Sequence, residues 1–140
     1  MNSTTSKPQR HIPAWIKWTF MLVLLAGVSV VVIQQLPRAG ISTDLSGIGQ
    51  GKPVLVLTRD IHYLGGAEVL EYLKQLNPEY QTRLEMRIAH QGQPDGQAFA
   101  NRYSTYDGDL VLLNGAGEEI GRLQQPGNLQ AVRQLLSQAE

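Results

Sequence analysis

The residues with the clearest chemical potential are Asp60, His62 and Tyr63, which lie close together in the chain. A histidine beside a carboxylate can act as a general base or as a metal ligand, because imidazole changes its charge near neutral pH. The spacing is unspecific, and the same polar residues can simply end a strand and enter a solvated loop. The pattern favours the solvated loop. His90 is expected on the surface and away from these residues.

Two glycine-containing stretches could bind ions. Asp107 and Asp109 flank Gly108, a pattern found in cation-binding loops, but a calcium site needs several more oxygen ligands at regular spacing. A tight turn is the favoured interpretation. The pair Gly65-Gly66 could receive an anion at the start of a helix, although two glycines without further spacing are a weak phosphate signal. We interpret the pair as allowing a close turn.

The composition excludes several classes of chemistry. The chain of 140 residues contains no cysteine, which rules out disulfides, thiolate metal sites and nucleophilic thiols. Its 12 Lys and Arg residues are balanced by 12 Asp and Glu residues, so no broad basic field is available for nucleic acid. We predict no cofactor, no metal, no nucleic-acid partner and no catalytic residue.

An uncharged apolar stretch covers residues 18–36 and reads WTFMLVLLAGVSVVVIQQL. Its length matches the roughly 20 residues that a helix needs to cross the hydrocarbon layer of a membrane. Lys7, Arg10 and Lys17 precede the stretch, whereas only Arg38 follows it closely. Because positive residues are retained on the cytoplasmic side, this bias predicts a transmembrane helix with its N-terminus in the cytoplasm.

The competing interpretation of residues 18–36 is a cleavable signal peptide. Cleavage needs small residues at the positions three and one before the cut, and residues 37–40 do not provide them. A buried helix of a soluble protein is disfavoured because the stretch has no polar face. We therefore predict an uncleaved signal anchor in a cell inner membrane, in contact with lipid. Residues 1–17 would form a cytoplasmic tail, and the C-terminal domain would be periplasmic.

Beyond the apolar stretch, residues 37–51 are rich in Gly and Ser and predict a flexible linker. Residues 52–140 carry alternating strand and helix patterns. Strands are predicted at 53–58, 84–88, 109–114 and 119–123, and helices at 67–76, 94–104 and 128–136. The helix at 67–76 is expected to end near Pro78. The order βαβαββα predicts an α/β fold with a mixed sheet and helices on both faces.

At this point residues 52–140 resemble the thioredoxin family. The resemblance rests on the sequence KPVLV at 52–56, which is similar to the family's central strand. It also rests on LLNGAGE at 112–118, which is similar to its hairpin, and on Tyr103 near the end of a helix. It implies a thioredoxin-like mixed sheet preceded by one transmembrane helix.

The resemblance lacks the family's redox residues. The family follows its central strand with Trp-Cys-Gly-Pro-Cys at a helix N-terminus, where the helix dipole and free backbone N–H groups lower the first thiol's pKa. The corresponding residues 62–66 read HYLGG. The family's cis-proline falls on Asp109 or a neighbour in 106–109, and its buried carboxylate falls on Leu57. The resemblance thus implies a redox-inactive member without thiol–disulfide oxidoreductase activity.

Two functions from different classes remain open. The first is a membrane-anchored protein-interaction or assembly module at the outer face of the cytoplasmic membrane, with a protein partner in the membrane or envelope. Its candidate surface is the former active-site edge, formed by Asp60, His62, Tyr63, Tyr106 and Asp109. The alternative is a small-ligand binder or non-thiol enzyme that uses Asp60, His62 and Tyr63. That alternative requires the three side chains to converge in a concave pocket.

Overall fold

The computed structural model describes residues 13–35 and 40–140, with side chains described over 13–29 and 40–140. Most of the predicted cytoplasmic tail (residues 1–12), the last residue of the predicted transmembrane helix (residue 36) and part of the predicted linker (residues 37–39) lie outside the described residues. The chain divides into two compact units, Met1–Arg38 and Ala39–Glu140.

The described part of the first unit, residues 13–35, forms helix α1 over Ala14–Gln35. Its large apolar side chains are exposed, among them Trp15 and Phe20. Within residues 13–35 and 40–140, no helix combines the length and the apolarity needed to cross a membrane. The helix predicted over 18–36 is thus present in its described part, whereas the predicted transmembrane span is not supported.

The second unit is built on a four-stranded sheet. Its strands are β1 (Val54–Arg59), β2 (Glu85–His90), β3 (Leu110–Leu113) and β4 (Glu119–Leu123). They lie in the order β2-β1-β3-β4, with β1 parallel to β2 and antiparallel to β3, and with β3 and β4 forming an antiparallel hairpin. The helices are α2 (Gly65–Tyr80), α3 (Pro94–Tyr103) and α4 (Leu129–Leu136), followed by a 3₁₀ helix at Ser137–Ala139. The predicted element order is confirmed.

The two faces of the sheet carry separate apolar cores because successive side chains of a strand point to opposite faces. On one face, Leu55 and Leu57 of β1 join apolar residues of α2 and α4. On the other face, Val54 and Val56 of β1 join Phe99 of α3. These four residues of β1 are fully buried, which confirms the prediction of a central strand. Helices therefore cover both faces, as the sequence predicted.

The helix ends agree with the sequence at α4 and differ at α2. As predicted, Asn128 caps α4, and its side-chain oxygen accepts the N–H of Ala131 at 2.8 Å. Helix α2 does not end near Pro78 but continues to Tyr80. Proline removes one backbone hydrogen bond from the helix. This loss is offset because Tyr80 packs on the core and the N–H of Gln81 still reaches the carbonyl of Asn77 at 3.0 Å.

Residues 40–51, predicted as flexible linker, belong to the folded unit. Ile41 packs on the core of one face, and Leu45 and Ile48 pack on the core of the other. Ser42 forms a parallel bridge with Arg87, and its carbonyl accepts the N–H of Ile88 at 3.0 Å. The segment is ordered because burying its apolar side chains and pairing with the open edge of β2 outweigh the flexibility of its Gly and Ser residues.

Candidate functional site

The candidate site lies where β1 ends, and its frame is the loop between α3 and β3. This 105–109 loop is fixed beside β1 through Thr58, a buried residue. The Thr58 hydroxyl donates to that of Thr105 at 2.6 Å, and the Thr58 carbonyl accepts the N–H of Gly108 at 2.9 Å. The N–H of Thr58 donates to the carbonyl of Asp109 at 3.0 Å. The loop therefore has a fixed position at the carboxyl end of β1.

Asp107 of this loop organises the site. Its side chain is only 6 % exposed, and its carboxylate accepts three hydrogen bonds. Oδ1 accepts from Nη1 of Arg59 at 2.9 Å and from the N–H of Asp60 at 2.8 Å. Oδ2 accepts the N–H of Gly66 at 2.7 Å. Since Gly66 lies in the first turn of α2, the carboxylate satisfies a free N–H at the positive end of the helix dipole.

Arg59 extends this frame to the 60–64 loop, which links β1 to α2. Besides its contact with Asp107, Nη1 of Arg59 donates to the carbonyl of Tyr63 at 2.8 Å and to that of Asp60. The N–H of Tyr63 in turn reaches the carbonyl of Asp60 at 3.2 Å. The loop backbone is therefore held from within by one largely buried ion pair.

Gly66 is required by the close approach of Asp107. A Cβ atom at Gly66 would lie 2.3 Å from Oδ1 of Asp107, whereas a Cβ atom at Gly65 would meet no atom closer than 3.6 Å. Glycine at position 66 thus allows the Asp107 carboxylate to reach the N-terminus of α2. This is the place where the sequence offered a weak signal for binding an external anion.

The 105–109 loop is a tight turn, in agreement with the favoured interpretation. The N–H of Asp109 donates to the carbonyl of Tyr106 at 3.0 Å, and Gly108 adopts a φ of +89°. Within residues 13–35 and 40–140, no group of three potential ligands is placed to hold a metal ion. Asp109 is buried, and its carboxylate accepts the N–H of Tyr106 at 2.9 Å, so it stabilises the turn rather than facing a ligand.

Asp60 and His62 form a pair on the loop surface. Oδ1 of Asp60 accepts the backbone N–H of His62 at 3.0 Å and lies 2.8 Å from its Nδ1. The backbone N–H, and after it the imidazole, lowers the pKa of Asp60 below the ordinary aspartate value, so this carboxylate is ionised at neutral pH. The imidazole is 81 % exposed.

A solvent-open cleft of about 470 Å³ lies between the two loops. It is lined by Asp60, Tyr63, Leu64, Gly65, Gln91, Tyr106, Asp107 and Gln125. The structure thus brings Asp60, Tyr63 and Tyr106 together, as the sequence suggested, but leaves His62 and Asp109 out of the lining. His90 is also outside it, and its Nδ1 accepts the N–H of Gly92 at 2.9 Å.

Large apolar side chains surround the cleft and point into solvent. We call Ile61, Tyr63, Leu64 and Tyr106 the apolar tip, and they are 65 %, 63 %, 87 % and 73 % exposed. Elsewhere in residues 40–140, Ile120 is the only other large apolar side chain that is exposed, and its exposed fraction is lower, at 38 %. The exposed apolar surface of this unit is therefore concentrated at one place.

Several residues of this site are not predicted from the sequence, among them Ile61, Leu64 and the role of Asp107. Ile61 and Leu64 could have been found, because two large aliphatic residues in an otherwise polar loop need a reason to be there. Asp107 was noticed only as part of a turn. Its role as the buried partner of Arg59 was hidden because the two residues are 48 positions apart in the chain.

Solved structures with a similar backbone identify the fold. A solution structure of an uncharacterised thioredoxin-like protein from Clostridium perfringens has a TM-score of 0.62 and 16% identity, covering 75% of this chain and 86% of that one. Thioredoxin from Fasciola hepatica has a TM-score of 0.56 and 17% identity, covering 66% and 85%. Oxidised thioredoxin O2 from Arabidopsis thaliana has a TM-score of 0.55 and 6% identity, covering 66% and 78%. No protein-family model and no curated protein matches the sequence.

These likenesses confirm a thioredoxin-like fold, and at such identities they show the fold alone. The chain has no cysteine, so no thiol–disulfide oxidoreductase activity is expected from it. The place that the resemblance assigns to a second thiol is Gly66, and there the carboxylate of Asp107 occupies the helix N-terminus. Leu57, the counterpart of the family's buried carboxylate, is a fully buried core residue.

Proposed function

We propose that the folded unit is a redox-inactive, thioredoxin-like interaction module whose apolar tip binds a protein partner. The observation that carries this proposal is the exposure of Tyr63, Leu64 and Tyr106, which line one cleft, and of Ile61 in the same 60–64 loop. Contiguous apolar surface is uncommon on isolated soluble domains and marks sites of interaction. Aromatic residues, tyrosine among them, are enriched in the energetically important centres of protein interfaces.

The exposure of the tip is not a sign of poor packing. Asp107 and Arg59 fix the loop backbone, because Asp107 accepts the N–H of Asp60 and Arg59 donates to the carbonyl of Tyr63 while bonded to Asp107. The apolar side chains are left facing solvent on a fixed frame. Burying one side chain such as Leu64 against a partner would contribute about 1.5–3 kcal/mol, and little ordering of the loop would oppose it.

The charge of the cleft favours a protein partner over a lipid surface. Amphipathic surfaces that bind anionic membranes combine apolar residues with lysine or arginine. The cleft lining contains the carboxylates of Asp60 and Asp107 and no cationic side chain. The nearby guanidinium of Arg59 is bonded to Asp107.

The alternative of a ligand-binding site or non-thiol enzyme is less well supported by the geometry. It requires Asp60, His62 and Tyr63 to converge, but His62 lies outside the cleft lining and is largely exposed. A His62→Ala variant should therefore keep its function in any cellular assay of the protein. Loss of function with unchanged expression would favour the alternative.

Position-specific crosslinking tests the proposal. A photo-crosslinking amino acid at Leu64 of the full-length chain should give a discrete adduct in cells, whereas the same group at the exposed Gln134 of α4 should not. Adding Ile61→Ser or Tyr106→Ala should abolish the adduct at position 64 by removing the rest of the apolar tip. Equal adducts at both positions, or an adduct that survives both substitutions, would contradict a partner bound by the tip.

The cellular location rests on the sequence alone, and we propose it as a prediction. The apolar stretch at 18–36 and the preceding positive charges favour a membrane-associated N-terminus in the cytoplasm and a periplasmic C-terminal unit. The protein should then remain with bacterial membranes after alkaline extraction, and its C-terminal unit should be cut by protease added to spheroplasts. Recovery of the full-length chain in the extracted supernatant would contradict this location.

A further inference from the structure

The cleft beside the apolar tip carries an excess of negative charge. Asp107 is balanced by Arg59, whose Nη1 lies 2.9 Å from its Oδ1. Asp60 is not balanced in the same way, because among the described residues no lysine or arginine bonds to its side chain, whose side-chain partner is the imidazole of His62. Among the described residues, the hydrogen bonds accepted by the Asp60 side chain are both at Oδ1. One carboxylate of the lining is therefore available to a cationic group.

The remaining lining groups suit a flat cation. Tyr63 and Tyr106 are exposed phenol rings that both line the cleft, and the faces of such rings attract cations. Gln125 donates through Nε2 to the carbonyl of Asp107 at 3.0 Å, which leaves its amide oxygen as an acceptor. Gln91 adds a further amide to the lining.

From this arrangement we propose that the cleft seats an arginine side chain of the partner, flanked by apolar residues that contact the tip. The inference rests on the proposed function, since it names the chemistry of the segment that binds there. Arginine fits better than lysine because a guanidinium is planar, stacks on aromatic rings and offers five donors to carboxylate and amide oxygens. Leu64 and Ile61 then contact the aliphatic neighbours of that arginine.

The test compares short capped peptides that differ at one side chain. The first has a central arginine between two leucines, the second replaces arginine with the neutral isostere citrulline, and the third replaces it with lysine. Binding to the full-length chain is followed by NMR shifts of Tyr63 and Tyr106. The arginine peptide should bind about ten- to hundredfold more tightly than the citrulline peptide, as expected for charge-assisted hydrogen bonds, and the lysine peptide should lie between them.

Two variants locate the effect. Asp60→Asn should weaken the arginine peptide about tenfold and leave the citrulline peptide unchanged, because only the charged contact is lost. Glu71→Gln, a matched charge removal on the exposed face of α2, should change neither peptide. Equal binding of arginine and citrulline peptides, no binding of either, or equal weakening by both variants would overturn the inference.

The outcomes also separate this inference from the proposed function. If the peptides do not discriminate but the adduct at Leu64 is formed and is lost on tip substitution, the interaction module stands and the arginine assignment fails. If neither the peptide effect nor the adduct is seen, both fail. Free arginine amide that binds as tightly as the arginine peptide would identify a small-molecule cation site and overturn docking of a partner segment.

Discussion

Two loops at opposite ends of the sheet are each held by one side chain that accepts backbone N–H groups, but they expose different kinds of side chain to solvent. At the hairpin turn, Oδ1 of Asn114 accepts the N–H groups of Ala116 and Glu118, both at 2.9 Å. At the other end, Asp107 accepts the N–H groups of Asp60 and Gly66. In each case one side chain collects backbone donors that the turn leaves free.

The difference lies in what each loop exposes. The hairpin turn presents small and polar residues, whereas the 60–64 loop presents large apolar ones on a buried charged frame. The hairpin turn is held by hydrogen bonds without a buried charge, and its Gly115 and Gly117 carbonyls also accept the N–H of Gly51 at 2.8 Å and the hydroxyl of Tyr103 at 3.0 Å. The 60–64 loop is held by a largely buried ion pair, which is a costlier frame, and its large apolar side chains remain exposed. The comparison therefore separates a polar turn from the surface for which we propose an interaction.

The largest expected effect comes from removing the buried carboxylate. Asp107→Ala leaves Arg59 without its partner and two backbone N–H groups without an acceptor, so it should lower the free energy of unfolding by roughly 3–5 kcal/mol. Asn114→Ala, the matched change at the hairpin turn, should cost about 1 kcal/mol because its hydrogen bonds, including the one donated to the Glu118 carboxylate, are exposed to water. Urea denaturation of the full-length chain measures both.

Similar costs for these two variants would break the comparison between the loops. Asp107→Asn supplies a further control, because the amide keeps the shape of the carboxylate but loses its charge. It should lie between the wild type and Asp107→Ala if the ion pair with Arg59 contributes.

An intermediate effect is expected from two adjacent glycines. Gly66→Ala puts a Cβ atom 2.3 Å from Oδ1 of Asp107, and this overpacking should cost about 1–3 kcal/mol. Gly65→Ala meets only ordinary contacts, with the nearest atom at 3.6 Å, and should change stability by less than about 0.5 kcal/mol. Thermal unfolding of the two variants checks this contrast. Equal stability of the two variants would mean that the approach of Asp107 does not restrict position 66, since helix propensity favours alanine over glycine at both positions.

The smallest effect is the pH response of Asp60. Its pKa in the folded state is lowered, chiefly by the backbone N–H of His62, so its contribution to stability is present above the ordinary aspartate pKa. That contribution is lost as the pH falls through the lowered value. NMR titration of the side chain should show the lowered pKa directly. His62→Ala should raise the pKa only part of the way, because the backbone donor remains; a full return to the ordinary value would make the imidazole the main cause.

The sequence predicted those features that depend on local patterns. The run at 53–58 indicated a strand buried on both faces, and Asn128 indicated the cap of α4; both are confirmed. The frame of the site could not be predicted in the same way. Asp107 and Arg59 are separated in the chain by α2, β2 and α3, and they are in contact only because of the tertiary fold. Whether Tyr63 and Tyr106 bind a partner stays a prediction.

The segment at 40–51 shows a different limit. The apolar residues Ile41, Leu45 and Ile48 were visible in the sequence, but the Gly and Ser residues around them favoured a linker. The structure orders the segment because β2 is an edge strand, and its free backbone groups provide partners that no local pattern could reveal.

The position of the Asp107 carboxylate also bears on whether thiol chemistry could be restored. Of the cysteines that Tyr63→Cys and Gly66→Cys would introduce, the one at position 66 would lie beside the Asp107 carboxylate, and a neighbouring negative charge raises a thiol pKa and suppresses the thiolate that exchange requires. At position 66 there is not even room for the Cβ atom. Adding two cysteines would therefore not be enough for thiol–disulfide exchange, because the acid that stabilises the loop would also have to be removed. The absence of such chemistry is built into the packing around Asp107 as well as into the missing cysteines.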